Sequence, residues 1–233
     1  MWKKKTKKWF GIACLLIIAC AILGHAVILQ SLGGILVCDQ SSEKVDVVQP
    51  AAGDGVYAAA AELIRSRQAS KIVVFESPVG NLERFGILPR TDKLAVSVLQ
   101  SEGIAPSDVE VVPFAREPTD LPSSRLQRWL KQNPRSRLAI LTDQFWSRRL
   151  RVQLDRSLSK EERERVFVYA LKNRTFDDAN WWGTRLGVKS WLVSSLALTH
   201  TCLVGVSPLA ESVGWDPIAY EEELIKARGI EGR

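Results

Sequence analysis

The most constraining feature of this chain lies at its start, where Lys3, Lys4, Lys5, Lys7 and Lys8 precede an uncharged run of 21 residues, Trp9 to Leu29. That length matches what a helix needs to cross the hydrocarbon core of a bilayer. Positive flanks tend to stay cytoplasmic, so the lysines also set its direction. The expected topology is a basic cytoplasmic N-terminus over 1–8, a transmembrane helix over 9–29 and a linker over 30–43. Everything after it then lies on the periplasmic or extracytoplasmic side of a bacterial inner membrane, with Trp2 and Trp9 suited to the interfacial belt. A cleaved signal peptide is the competing reading, because Gly24-His25-Ala26 resembles a small-x-small cleavage site; the apolar run continues past it, which favours a retained anchor. Cys38 follows Ile35-Leu36-Val37, without the small residue that usually precedes a lipidated cysteine.

Of the 32 basic residues five belong to this cluster, leaving 27 against 26 acidic ones, a balance of +1. The overall charge of +6 is therefore a topology signal and gives no support to nucleic-acid binding. With 46% hydrophobic content in 233 residues, the rest of the chain can bury one core. Cys14 and Cys20 fall in the membrane run, while Cys38 and Cys202 stand in sequences without metal-ligand spacing. Isolated thiols are favoured over a Cys38 to Cys202 disulfide, which an extracytoplasmic location would allow.

From Lys44 short apolar runs alternate with helical stretches, the pattern of βαβ units. Strands are expected at Val45 to Val48, Lys71 to Phe75, Val109 to Pro113, Leu138 to Leu141 and Val166 to Leu171. Helices are expected at Val56 to Arg67, at Thr91 to Glu102 with Thr91 as cap and Gly103 as stop, at Ser123 to Gln132, and at Phe145 to Leu158 with an arginine-rich face. The fold class is α/β: a Rossmann-like open, mainly parallel five-stranded sheet with helices on both faces, occupying 44–206. Val188 to Val206 reads as the last helix covering the core, with a second membrane pass as the alternative. Residues 207–233 read as a tail with a short helix around Ile218 to Arg228.

Ligands of open parallel sheets bind beyond the carboxyl ends of the strands, where strand order reverses. After the first strand comes Pro50-Ala51-Ala52-Gly53-Asp54-Gly55, a small-residue turn into a helix whose amides can receive an anion; a plain tight turn is the simpler account. Ser77 follows the second strand. Thr142 and Asp143 follow the fourth as candidate caps, with Arg148 and Arg149 able to clamp phosphate or carboxylate or to form a solvated face. Glu76 and Asp143 would form paired carboxylates for acid/base work if their strands are near neighbours. The two histidines, His25 in the membrane run and His200 in the last apolar helix, leave no basis for a Ser-His-Asp triad or a His-rich metal centre. No cofactor is required by the sequence. Trp181-Trp182 can stack on a sugar or base ring, or pin their loop onto the sheet or the membrane surface.

The order of elements over residues 44 to 206 resembles the bacterial YdcF-like family, which includes SanA and ElyC. The residues that carry the likeness are Lys44-Val45-Asp46-Val47-Val48 entering a glycine turn, Ala59-Ala60-Ala61-Glu62-Leu63 followed by Lys71-Ile72-Val73-Val74, Leu99 to Gly103 before Ile104-Ala105-Pro106, and Leu138 to Arg149. The resemblance implies a Rossmann-like fold behind a membrane segment, with a role in envelope polysaccharide or lipid-carrier metabolism. It suggests a nucleotide-sugar or polyprenyl-phosphate ligand at Gly53, Asp54, Gly55, Ser77, Thr142, Arg148 and Arg149, or else a noncatalytic scaffold with a degenerate pocket, whose Trp181-Trp182 loop or C-terminal tail contacts other envelope proteins. Departures from the family pattern are the loss of its polyglycine turn to Ala51-Ala52-Gly53-Asp54, Asp143 in place of a serine, Trp146 in place of a histidine, and no Asn-Thr element near Glu117 to Ser124.

Overall fold

Apolar and β-branched runs form five strands: β1 (Val47–Ala52), β2 (Lys71–Phe75), β3 (Val109–Val112), β4 (Leu138–Asp143) and β5 (Val166–Leu171). The computed structural model describes residues 24–52, 55–76, 83, 85, 89–113 and 122–205. All four strand pairings are parallel, in the order β3-β2-β1-β4-β5. Leu138, Ala139, Ile140 and Leu141 are all buried, as a strand covered on both faces requires. The chain is thus an α/β protein with a five-stranded parallel sheet.

Helices α2 (Val56–Arg65) and α3 (Thr91–Ser101) cover one face, where Ala60, Ala61, Ala95 and Leu99 meet Val48, Ile72, Val74 and Leu141. Helices α4 (Pro122–Gln132) and α5 (Gln144–Ser157) cover the other, where Leu126, Trp129, Leu130 and Leu154 meet Val47, Val73, Ile140 and Val168. A one-turn helix, α6 (Lys160–Arg163), opens with a capping box from Ser159 and Glu162 and leads into β5. Because the crossovers change face between β1 and β4, the topological switch point lies at the carboxyl ends of those two strands.

β1 extends farther than its sequence suggests. Pro50 sits inside it at a register shift between Pro50 and Ala52, and pairing with β2 ends at Val48↔Ile72. A residue without an N–H is accepted at such an irregularity. The cap of α3 also differs from expectation: Arg90 occupies the N-cap, and the Glu83 carboxylate receives both the Thr91 N–H (3.0 Å) and its hydroxyl (2.9 Å). Gly103 stops the helix with φ 86°, a conformation that favours glycine.

The stretch expected as a linker is built into the domain. A helix, α1, spans residues 24–34, and Leu36 behind it is buried. Residues 36–43 then run along the free edge of β5. There Gln40 gives its N–H to the Val168 carbonyl (2.8 Å) and takes the Val168 N–H on its side-chain oxygen (3.1 Å), while Asp39 takes the Ala170 N–H (3.1 Å). The Tyr169 hydroxyl donates to the Glu43 carbonyl. An edge strand exposes unpaired amides, and this strap occupies them with one backbone and two side chains.

The last described helix, α7 (Arg185–Val204), does not cover the sheet. It packs on α5 and on the short turn Trp181–Gly183, and joins α1 through a separate cluster of Leu36, Phe145, Phe176 and Trp181, to which Leu29, Val188, Trp191 and Leu198 add. Among the described residues no helix is long and apolar enough to cross a membrane, α7 included. Most of the run read as a transmembrane segment, and the whole tail with its helix at Ile218 to Arg228, lie outside the described residues. Cys38 and Cys202 are both free thiols.

Candidate ligand-binding site

The carboxyl edge of the sheet gathers its functional groups from several elements. At the switch point Gly55 caps α2 with φ 70° and offers no side chain to the first-turn amides. Those amides have no intrahelical partner, and this end of α2 carries the positive end of the helix dipole. Arg174, three residues beyond β5, reaches across the end of β4 to this point: its Nη2 lies 3.8 Å from where a Cβ on Gly55 would sit. A guanidinium beside the start of a helix suits an anionic group. Gly53, Asp54 and Ser77, expected to contribute here, lie outside the described residues.

A second group forms at the end of β2. The Glu76 carboxylate pairs with Arg90 at 2.8 Å, Arg90 also holds Asp92 at 3.0 Å, and the buried Arg125 of α4 donates to the Glu76 backbone carbonyl. Glu76 is therefore bound from both its side chain and its backbone. Asp143 stands two strands away, because β1 lies between β2 and β4, a lateral separation of about 10 Å. Its carboxylate caps α5 by accepting the Phe145 N–H at 3.0 Å. Glu76 and Asp143 thus serve separate structures and do not form the paired carboxylates that adjacent strands would have produced. Burial pushes the Asp143 carboxyl up from the ordinary range, and the Phe145 amide opposes that shift. Among the described residues no group of three His, Cys, Asp or Glu side chains converges to hold a metal ion.

Thr142 is buried in β4, in register with Ala52 and Ala170. Arg148 and Arg149 have partners inside the chain. The Arg148 guanidinium donates to the Val37 carbonyl at 2.7 Å and its backbone N–H to that of Leu36 at 3.1 Å. Arg149 donates from Nε to the Thr201 hydroxyl at 3.0 Å and lies 5.1 Å over the Trp146 ring, and burial lowers its pKa. These contacts tie α5 to the strap on one side and to α7 on the other. Trp181 is buried, gives its ring N–H to the Leu29 carbonyl (3.0 Å) and stacks on Trp191 at 4.6 Å, which settles its loop as packing against α1.

Arg90, Arg125 and Arg174 went unnoticed in the sequence. A signal for two of them existed: Arg90 at an N-cap and Arg125 in a first turn place cations where a helix dipole disfavours them. Comparison with protein-family models, curated protein sequences and solved structures returns no significant match to this chain.

Proposed function

We propose that this chain is a divergent YdcF-like domain, anchored in a bacterial inner membrane by its N-terminal helix, that binds a small anionic ligand in envelope polysaccharide or lipid-carrier metabolism. The observation that carries the ligand class is the Arg174 guanidinium beside the glycine-capped start of α2, at the point where the crossovers change face. A phosphate or pyrophosphate group, free or borne by a nucleotide-sugar or polyprenyl carrier, has the charge for that position. Arg148 and Arg149 then act as structural residues that hold the strap and α7, and the ligand role passes to Gly55 and Arg174. The test is thermal unfolding of the full chain with pyrophosphate, UDP-sugars and polyprenyl phosphate. Stabilisation by at least one of them, lost in an Arg174→Ala variant that still unfolds cooperatively, supports the reading. No stabilisation by any of the three classes overturns it.

A second reading, a noncatalytic envelope scaffold, is favoured by the separation of Glu76 from Asp143. A hydrolase or transferase using those two carboxylates with a divalent ion would need a rearrangement of β2 relative to β4. Metal-dependent turnover lost in Asp143→Asn would establish that third reading against the other two.

A further inference from the structure

α7 is built inside out. Its buried positions are Gly187, Ser194 and Thr201, spaced by seven and facing α5 and the Trp181–Gly183 turn, whereas Leu186, Leu192, Val193, Leu196, Leu203 and Val204 are exposed, Leu203 by 81%. Soluble helices bury their large apolar side chains. Helices in lipid do the reverse, placing small and hydroxyl residues where backbones approach and large apolar ones outward.

The packing explains the small residues. A Cβ on Gly187 would lie 2.2 Å from the Trp181 carbonyl oxygen, and one on Gly33 of α1 2.5 Å from that of Asp178, so backbone lies against backbone at both places. The exposed apolar residues need a separate cause. α1, which packs beside α7, likewise exposes Val27 and Ile28 at 66 and 59%, with Ile35 just past its end at 59%, and α1 is the helix into which the uncharged run from Trp9 leads. Trp191 closes the two helices together by donating to the Leu32 carbonyl at 3.1 Å. Arg185 and Lys189 are exposed within the N-terminal part of the α7 face, and Trp146 lines a shallow groove with Leu186, Lys189, Ser190 and Val193. Cations and a tryptophan at one end of an apolar face are side chains that bilayer interfaces select.

We infer that the exposed face of α7 lies against the lipid bilayer, so that the domain is held to the membrane along α7 as well as by its anchor; this rests on the membrane reading above. The strap hydrogen-bonds along β5 and Trp191 bonds to Leu32, so α1 and α7 both pack on the same domain. Phosphatidylglycerol-containing vesicles supply the anionic lipid for the test. The full chain, its four cysteines replaced by serine, receives a single spin label at position 192, 196 or 203, with position 131 on α4 as the aqueous control. Flotation with vesicles reports anchoring, and collision with oxygen against a nickel chelate reports depth. Flotation with oxygen collisions dominant at Leu196→Cys and Leu203→Cys, and nickel dominant at Lys131→Cys, supports the inference. Flotation with nickel dominant on α7 overturns this contact and leaves the anchor standing. Failure to float overturns both. Dipolar broadening between labels with α7 shielded from both probes assigns the face to a second copy of the chain and overturns the lipid contact.

Discussion

α4 and α7 flank α5, yet they follow opposite rules. α4 buries Leu126, Trp129 and Leu130 against the sheet and exposes Arg128 and Lys131, while α7 buries Gly187, Ser194 and Thr201 and exposes its leucines and valines. The same apolar side chain therefore has a different energetic weight in the two helices. On α4 it is removed from water by its own fold, at roughly 25 cal/mol per Å² of apolar surface. On α7 it adds little to the fold of an isolated chain, and its value depends on what lies outside.

The sharpest way to break that comparison is to truncate one leucine on each helix. Leu130→Ala leaves a cavity under a fully buried side chain and is expected to cost about 2–5 kcal/mol. Leu196→Ala, at a side chain 70% exposed, is expected to stay within about 0.5 kcal/mol. Guanidinium unfolding of the full chain in detergent, followed by near-UV tryptophan dichroism, measures both. Comparable losses at the two positions would show that α7 is buried by the chain itself.

The next effect tests the small residues of α7. In an exposed helix interior, Gly→Ala gains up to about 1 kcal/mol from propensity alone. Gly187→Ala should instead lose about 1–3 kcal/mol, because its methyl group meets the Trp181 carbonyl and crowds the Thr184 hydroxyl that caps α7 at 3.0 Å from the Gly187 N–H. Thr199→Ala, on the exposed side of the same helix, is the control and should be close to neutral. A Gly187→Ala chain as stable as the control would mean that Gly187 does not lie against the Trp181 carbonyl.

Much of the sheet was legible because alternation of apolar runs with helical stretches has one economical solution, and β2 and β5 begin and end where those runs do. β1 was misjudged at its far end because Pro50 reads as a terminator, and only a register shift with β4 makes room for it. The strap was illegible for a different reason. Gln40 completes the edge of β5 with a side-chain oxygen, and no periodicity marks a residue that acts as half a strand. The candidate site divides in the same way: the switch point follows from topology, but Arg174 reaches it from a loop after β5, across a strand that the sequence does not place beside it. Arg148 and Arg149 had the composition of an anion clamp, while their use is set by Val37, Thr201 and Trp146, which come from distant parts of the chain.

The smallest effect concerns pH and the start of α5, which follows soluble rules where α7 does not. Asp143 caps the Phe145 amide, so Asp143→Ala should lose about 1 kcal/mol. Asp143→Asn keeps a capping oxygen and removes the charge. Burial holds the folded carboxyl above its unfolded value, so the unfolded chain releases its proton first as pH rises. The native protein is then penalised progressively from the ordinary aspartate range up to the raised folded value, and by a constant amount above it. Melting temperatures of the two chains should converge below the ordinary aspartate range and separate in favour of Asp143→Asn as pH approaches neutrality. A gap that opens instead toward low pH would mean that the Phe145 amide outweighs burial and that the carboxylate, not the carboxylic acid, is the form this corner of the sheet prefers.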